Sequence, residues 1–265
     1  MIKPLLLKEI KANYKILIIF ILIITMYGGI IVAMFDPELG KSLEMMAQSM
    51  PELFAAFSMS NAGTTLIEFV TNYLFGFIMI VIPFIFTLIM INRLLVRYND
   101  NGSLAYLLAS YHSRKQIVLT QLFTAILGIL VLIIYEIILV IVCGKLLFDQ
   151  LICLDQFLIL NLGLFALQLF FLGIVYLGGC LFRETRLASG VSGGIIVIFI
   201  LIQMLGQVSD KITFLKYLTP LSLFDTTGLI NLETKAIIMV MILFLLAFIL
   251  IILGTKIFEK RDLSL

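Results

Sequence analysis

The chain has 265 residues, of which 62% are hydrophobic and 13% are charged, with a formal net charge of +2. Soluble globular proteins are about half apolar and about a quarter charged, so this composition excludes that class. The basic residues are scattered rather than gathered on one face, so nothing indicates nucleic acid as a partner. We expect an all-α integral membrane protein that forms a single transmembrane domain over residues 1–265.

The N-terminal segment, residues 1–15, predicts an interfacial helix. Lys8, Lys11 and Lys15 fall on one face, as in an amphipathic helix that lies on the membrane surface before the chain turns into the bilayer. The alternative is the charged start of a signal peptide. The following apolar run, 16–35, is long enough to cross a bilayer, and no small-residue cleavage site follows it, so we expect an uncleaved first span.

Residues 36–70 predict an external helical segment. Acidic residues outnumber basic ones, and apolar residues recur at helical spacing. Ser49 and Glu52 can form a capping box around Pro51, which predicts two short helices with a break near Ser49. Such a segment is either an amphipathic lid or a connector that lies on the lipid surface.

Five further spans are predicted from the apolar runs. We expect them at residues 71–95, 117–146, 157–182, 187–205 and 236–257. Pro83 predicts a kink in the second span. Residues 206–235 are too apolar for a free loop, yet Pro220 and Gly228 interrupt them too often for a span. This pattern is typical of a re-entrant or interfacial hairpin, here on the outer side.

The distribution of Lys and Arg predicts the orientation. Thirteen lie in the N-terminal segment, the 93–116 loop, residues 183–186 and the C-terminus, whereas five lie in the remaining connections. The positive-inside rule therefore places both termini in the cytoplasm. We expect a multi-pass protein of the cell membrane, and the Ile-, Lys- and Phe-rich composition favours a bacterial source.

Residues 97–116 are the one long polar interruption on the predicted cytoplasmic side. Gly102 and Ser103 form a turn and cap signal before a turn or two of helix. Ser113 and Gln116 then form a capping box that opens the third span. We call residues 97–116 the knuckle. An amphipathic segment at this place can transmit force to a soluble partner; the alternative is an ordinary capped loop.

A few polar residues lie inside the predicted spans. Glu136 is the only ionisable residue deep in a span, so it should face protein or a water-filled cavity, either as a gate or as a structural hydrogen-bonding group. Asn161 and Gln168 lie on one face of the fourth span and are candidates for hydrogen bonds between helices. Gln203, near the outer end of the fifth span, can do the same or line a path.

Small residues and cysteines give weaker signals. Gly190 and Gly194 form a GxxxG pair, which predicts a packing face between spans or between subunits. Cys143 and Cys153 flank a tight outer turn, so a disulfide between them is conceivable, and Cys180 lies in an apolar run.

Several catalytic motifs are missing from the sequence. It contains no GxxxxGK[ST] loop for ATP, and no GxSxG or HExxH motif for hydrolysis inside the membrane. We therefore expect a non-catalytic chain that itself holds no cofactor and no metal.

The polar segment and the C-terminus together resemble a known family. The register Arg97, Gly102, Ser103, Leu104, Leu107, Leu108, Ser113, Arg114 and Ile117 is similar to the segment that follows the second span in permease subunits of type-2 ABC exporters. The ending FEKRDL, residues 258–263, is similar to the common finish of that family. Two features depart from the pattern: Tyr98 and Asn99 replace the usual acidic pair, and Tyr111 replaces the usual proline.

The resemblance implies six spans, a separately encoded ABC ATPase that binds ATP and Mg, and a translocation path between this subunit and a second copy or a paralogue. Residues 97–116 would be the coupling helix, and their ATPase-coupling positions would be Arg97, Gly102, Ser103, Leu104, Leu107, Leu108 and Arg114. Candidates for the dimer interface or the path are Gly28, Gly29, Gly190, Gly194, Gln203 and Glu136.

The cargo and the alternative functions remain open from the sequence. Met- and Phe-rich outer segments favour an amphipathic or hydrophobic cargo, such as a peptide, a lipid or a drug. A stand-alone secondary carrier or channel is the alternative, and it predicts an internal inverted repeat, which the sequence does not show. An intramembrane enzyme lacks its catalytic motifs, and a structural scaffold would leave the knuckle without a docking partner.

Overall fold

A computed structural model describes residues 2–35, 45–46, 48–56, 65–100, 112–148, 153–182, 184–208, 214–215 and 217–260. In these ranges every regular element is helical. Six helices are long and apolar enough to cross a membrane, which confirms the predicted all-α membrane fold. They are α1 (Lys3–Ala33), α2 (Ile78–Ile91), α3 (Arg114–Phe148), α4 (Leu154–Leu181), α5 (Thr185–Val208) and α6 (Thr234–Lys260).

Short elements connect the long helices. Two π-helical turns, Thr71–Phe75 and Asn92–Val96, flank α2, and the backbone leaves helical geometry at Phe77 between the first turn and the helix. The other short elements in the described ranges are helices Pro51–Ala56, Leu66–Val70, Arg97–Asp100 and Thr226–Ile230 and the 3-10 turn Pro220–Leu223. The predicted break near Ser49 is present as a bend at Met50.

Helix α1 corrects one sequence expectation. The predicted turn between an interfacial helix at 1–15 and a span at 16–35 is absent, and the chain forms one continuous helix of 31 residues. No Gly or Pro lies between Pro4 and Gly28, so no helix-breaking residue ends the helix where the predicted span begins. The helix is about 46 Å long at 1.5 Å per residue.

Helix α4 is the centre of the bundle. About 67% of its most apolar window is buried, compared with 22% for α1 and for α6. It contacts α2, α3, α5 and α6, and the short helix Thr226–Ile230 packs against it as well, while α1 packs mainly on α3. The remaining spans are therefore arranged around one buried helix.

Glycines allow the neighbouring helices to approach α4 closely. A Cβ atom at Gly173 would lie 3.0 Å from the Leu250 Cβ of α6, and one at Gly178 would lie 3.0 Å from the Ser192 Cβ of α5. At Gly163 it would lie 2.6 Å from the side chain of Leu229. Close packing therefore depends on the glycines of α4, which the sequence analysis had not singled out.

The buried amide of Gln168 holds α2 against α4. A proline has no N–H, so Pro83 cannot donate to the carbonyl of Met79 one turn earlier in α2. The Nε2 atom of Gln168 donates to the Met79 oxygen at 3.1 Å and to the Ile80 oxygen at 3.0 Å. The prediction that Gln168 links two helices is thus confirmed. Asn161 instead donates to the Phe157 carbonyl of its own helix.

We expect Gly178→Leu to lower the free energy of unfolding by about 1–3 kcal/mol, because a larger side chain must displace α5. Gly190→Leu is the matched control in the partner helix, since a Cβ at Gly190 meets no atom within 4 Å. Thermal unfolding of both variants in detergent would test this. An equal loss of stability in the two variants would contradict the described packing.

We expect Gln168→Leu to destabilise the protein by about 1–3 kcal/mol, because it leaves the buried Met79 carbonyl without a donor. In a Pro83→Ala background the cost should be smaller, since the restored N–H of residue 83 can donate to the Met79 oxygen. The measurement is a double-mutant cycle by thermal unfolding. Strict additivity would show that Gln168 does not compensate for Pro83.

Candidate functional site

Side-chain bonds tie several helices together at one end of the bundle. The start of α1, the start of α3 and the end of α6 meet there, because the Ile2 amide donates to Thr120 Oγ1 at 3.0 Å and Lys115 lies 3.9 Å from Glu259. Both ions of that pair are substantially exposed, so it contributes little stability. We call this the basic end, since described Lys and Arg residues of the predicted cytoplasmic segments lie there, among them Lys8, Arg97, Arg114, Lys115 and Lys260.

The predicted knuckle begins and ends at this basic end. Arg97 is the exposed first residue of helix Arg97–Asp100, and Arg114 is the first residue of α3. The predicted capping box is confirmed. The backbone N–H of Gln116 donates to Ser113 Oγ at 3.3 Å, and the backbone N–H of Ser113 donates to Gln116 Oε1 at 3.3 Å. The other predicted coupling residues, Gly102, Ser103, Leu104, Leu107 and Leu108, lie outside the described residues.

Tyr98 joins the start of the knuckle to α1. Its hydroxyl donates to Glu9 Oε1 at 2.6 Å, and the Lys8 ammonium lies 5.9 Å from the centre of its ring. Burial raises the pKa of Tyr98 well above its usual value, and the adjacent Glu9 carboxylate raises it further. Tyr98 therefore remains a donor at physiological pH. In the sequence, Tyr98 stands out only as a departure from the family pattern, and no local signal marks this contact.

A second contact at the basic end joins α5 to the same region. Ser189 Oγ donates to Asn92 Oδ1 at 2.8 Å, and Asn92 is the first residue of the π-helical turn after α2. The two chain segments that lead into and out of the knuckle thus contact α1, α5 and α6. A displacement of the knuckle would reach several helices at once.

A cavity of about 500 Å³ lies at the opposite end of the bundle. One part of its wall is apolar and includes Phe75, Ile80, Ile200 and Met204. Hydroxyl, amide and charged groups form the rest of the wall, together with further apolar residues. Those polar residues are Asn72, Gln203, Gln207, Tyr217, Ser222, Asp225, Thr226, Thr227 and Lys235.

Several polar side chains of the cavity wall are held by described partners, Gln203 and Asp225 among them. The hydroxyl of Thr219 donates to Gln203 Oε1 at 2.8 Å, so the amide of Gln203 is fixed in orientation. The Oδ1 atom of Asp225 accepts from the Gly228 amide at 3.1 Å and caps helix Thr226–Ile230. The wall is thus partly preorganised.

A family model described as "ABC-2 family transporter protein" matches residues 7–263. The chain belongs to the ABC-2 transporter family. A search of curated proteins found no match. The family and the six apolar helices together make this chain a multi-pass membrane component of an ABC transporter, which is the permease assignment that the resemblance implied.

The predicted dimer and path residues of this ABC-2 protein lie in different surroundings. A Cβ at Gly28 would lie 3.0 Å from Leu139 of α3, whereas Gly29, Gly190 and Gly194 have no atom within 4 Å of such a Cβ. Gly190 and Gly194 are therefore not a packing face between the described spans. Gln203 lines the cavity.

Glu136 is fully buried in the interior of α3 and faces protein, which is one of the two environments expected for it. The side chain of Asn161 lies beside it, but neither carboxyl oxygen meets hydrogen-bond geometry with any described residue. Both amide atoms of buried Gln121 lack such a partner as well. Cys143, Cys153 and Cys180 are free thiols, so the conceivable disulfide is absent from this structure.

Proposed function

We propose that this ABC-2 chain is the membrane subunit of an ATP-driven exporter in a bacterial cell membrane. A separate ABC ATPase would bind ATP and Mg and hydrolyse the nucleotide, and residues 97–116 would dock on it. The family match over residues 7–263 carries this proposal. The bonds at the basic end support the position of the docking segment, because they connect both of its flanks to the spans.

Helix α2 would transmit the motion of the docked ATPase across the membrane. One of its ends leads through Asn92–Val96 to Tyr98 and the docking segment. Its other end leads through Phe77 to the π-helical turn Thr71–Phe75, which contributes Phe75 to the cavity wall. Gln168 holds the first turn of the helix to α4, next to the cavity. A push at the basic end would therefore be transmitted along α2 to this contact and to the cavity wall, which includes Ile80.

We also propose that the subunit works as a dimer with a second copy or a paralogue. The outward side of α5 supports this, because Gly190 and Gly194 leave a shallow strip there between exposed apolar side chains. Those side chains include Leu187, Val191, Ile198, Leu201 and Leu205. A strip of glycines lets two helices approach closely, although lipid can cover the same surface.

The cargo that we propose is amphipathic or hydrophobic, and a peptide, a lipid or a drug would each satisfy this description. Exposed Met45, Met46, Met50 and Leu53 support it, because they lie on the short helical segments that follow α1. Methionine surfaces adapt to apolar molecules of varied shape.

We expect Tyr98→Phe to weaken coupling without preventing assembly with the ATPase. The variant loses one hydrogen bond to the Glu9 carboxylate, which is worth about 1.5–3 kcal/mol, or at least about tenfold in an equilibrium between two states. The measurement is the stimulation of ATP hydrolysis when the subunit binds its ATPase. Tyr14→Phe in α1 is the control, since Tyr14 is 49% exposed. Equal stimulation by wild type and Tyr98→Phe would refute a coupling role.

Co-purification with a candidate P-loop ATPase tests the proposed function directly. We expect wild type to retain the ATPase, and Leu104→Glu and Leu107→Glu each to lose it, because a charge would enter an apolar docking surface. Leu146→Glu is the control, since Leu146 lies at the opposite end of α3 and is 78% exposed. This variant should bind the ATPase as wild type does.

A different result would favour the alternative function. If wild type binds no ATPase and yet moves solute across liposomes unaided, the chain is a secondary carrier or a channel.

A further inference from the structure

We propose that the cavity at the end opposite the basic end is a binding site for an apolar, uncharged peptide segment. It would be a site within one subunit, separate from any path between two subunits. The peptide's role as cargo rests on the proposed export function. Binding itself requires only this chain.

The size and shape of the cavity fit such a ligand. Its volume of about 500 Å³ falls within the range of about 300–1,000 Å³ that is usual for ligand cavities. Side chains of Ile80, Ile200 and Met204 form an apolar surface in its wall. This surface can accept one or two apolar side chains of a peptide, while the peptide backbone remains near the polar part of the wall.

The polar part of the wall matches a peptide backbone. Peptide N–H and C=O groups need both acceptors and donors when they leave water, and a primary amide side chain offers both. Three amides, of Asn72, Gln203 and Gln207, lie in this wall. The amide of Gln203 is fixed in orientation because Thr219 donates to its oxygen, and its NH₂ group can then donate to a ligand carbonyl.

The charges of the wall oppose an anionic lipid. Asp225 and Lys235 contribute one charge of each sign, and one oxygen of Asp225 already accepts from the Gly228 amide. A phosphate group is usually held by several Arg or Lys side chains, and among the described residues of the cavity wall Lys235 is the one basic side chain. An uncharged ligand with hydrogen-bonding groups therefore fits this site better than a phospholipid headgroup.

Fluorescence quenching can test the site, because the chain contains no Trp. Tyr217→Trp puts a reporter in the cavity wall, where Tyr217 is 73% exposed, and Phe248→Trp puts a matched reporter on the exposed face of α6. The probe is a blocked tripeptide, acetyl-leucyl-(4-nitrophenylalanyl)-leucine amide, titrated into the full chain in phosphatidylcholine nanodiscs. No ATPase is present.

We expect saturable quenching at Tyr217→Trp and only linear quenching at Phe248→Trp. Adding Gln203→Leu should weaken the apparent affinity about five- to tenfold, through the lost hydrogen bond. Ser222→Phe, which fills the cavity and keeps Gln203, should weaken binding as well. Unchanged thermal unfolding would show that both variants are folded, and binding unaffected by either would overturn the proposal.

Two further outcomes would also overturn the proposal. Linear quenching at both reporters would mean that the peptide only partitions into the bilayer. Quenching of Tyr217→Trp by brominated phosphatidylglycerol, as strong as that of Phe248→Trp, would assign the cavity to lipid. A saturable site in a chain that fails to retain any ATPase would keep the peptide site and remove the export function, so the two failures are distinguishable.

Discussion

The fold depends on how two buried carbonyl groups of α2 are satisfied. Pro83 withdraws the backbone donor that the Met79 oxygen would have, and lipid offers no replacement. The amide of Gln168 on α4 supplies it and also binds the Ile80 oxygen. Because both helices are buried at this point, the bond fixes their relative height. The remaining spans pack around this pair, and the glycines of α4 set their distances.

The sequence predicted those features that arise from composition and local signals. Continuous apolar runs located the six spans, and the pair Ser113 and Gln116 located the start of α3, because a capping box involves residues only three apart. Gln168 was identified as a link because a buried amide in lipid must find a partner. Glu136 was expected to face protein or a water-filled cavity, and it faces protein. Asn161 was expected to bond a neighbouring helix, but it donates to a carbonyl of its own helix.

Features that arise from contacts between distant residues were not predicted. Gly173 and Gly178 do not stand out in the sequence, whereas the conspicuous GxxxG of α5 faces open space. The bond between Tyr98 and Glu9 joins residues 89 positions apart, and no local pattern marks it. The cavity likewise combines residues from five separate parts of the chain. The turn expected near residue 15 is replaced by continuous helix, because a charged helical face does not by itself end a helix.

The helices differ greatly in length, so a change in membrane thickness would affect them differently. Helix α3, with 35 residues, is about 52 Å long, whereas Ile78–Val96, with 19, extends only about 28 Å, close to the roughly 30 Å of a hydrocarbon core. A thicker bilayer would cover more of α3. The segment Ile78–Val96 has no extra length, so a thicker bilayer would draw the turns before Phe77 into the hydrocarbon core. These turns form part of the cavity wall. Lipid chain length would thus act on the end of the bundle that contains the cavity.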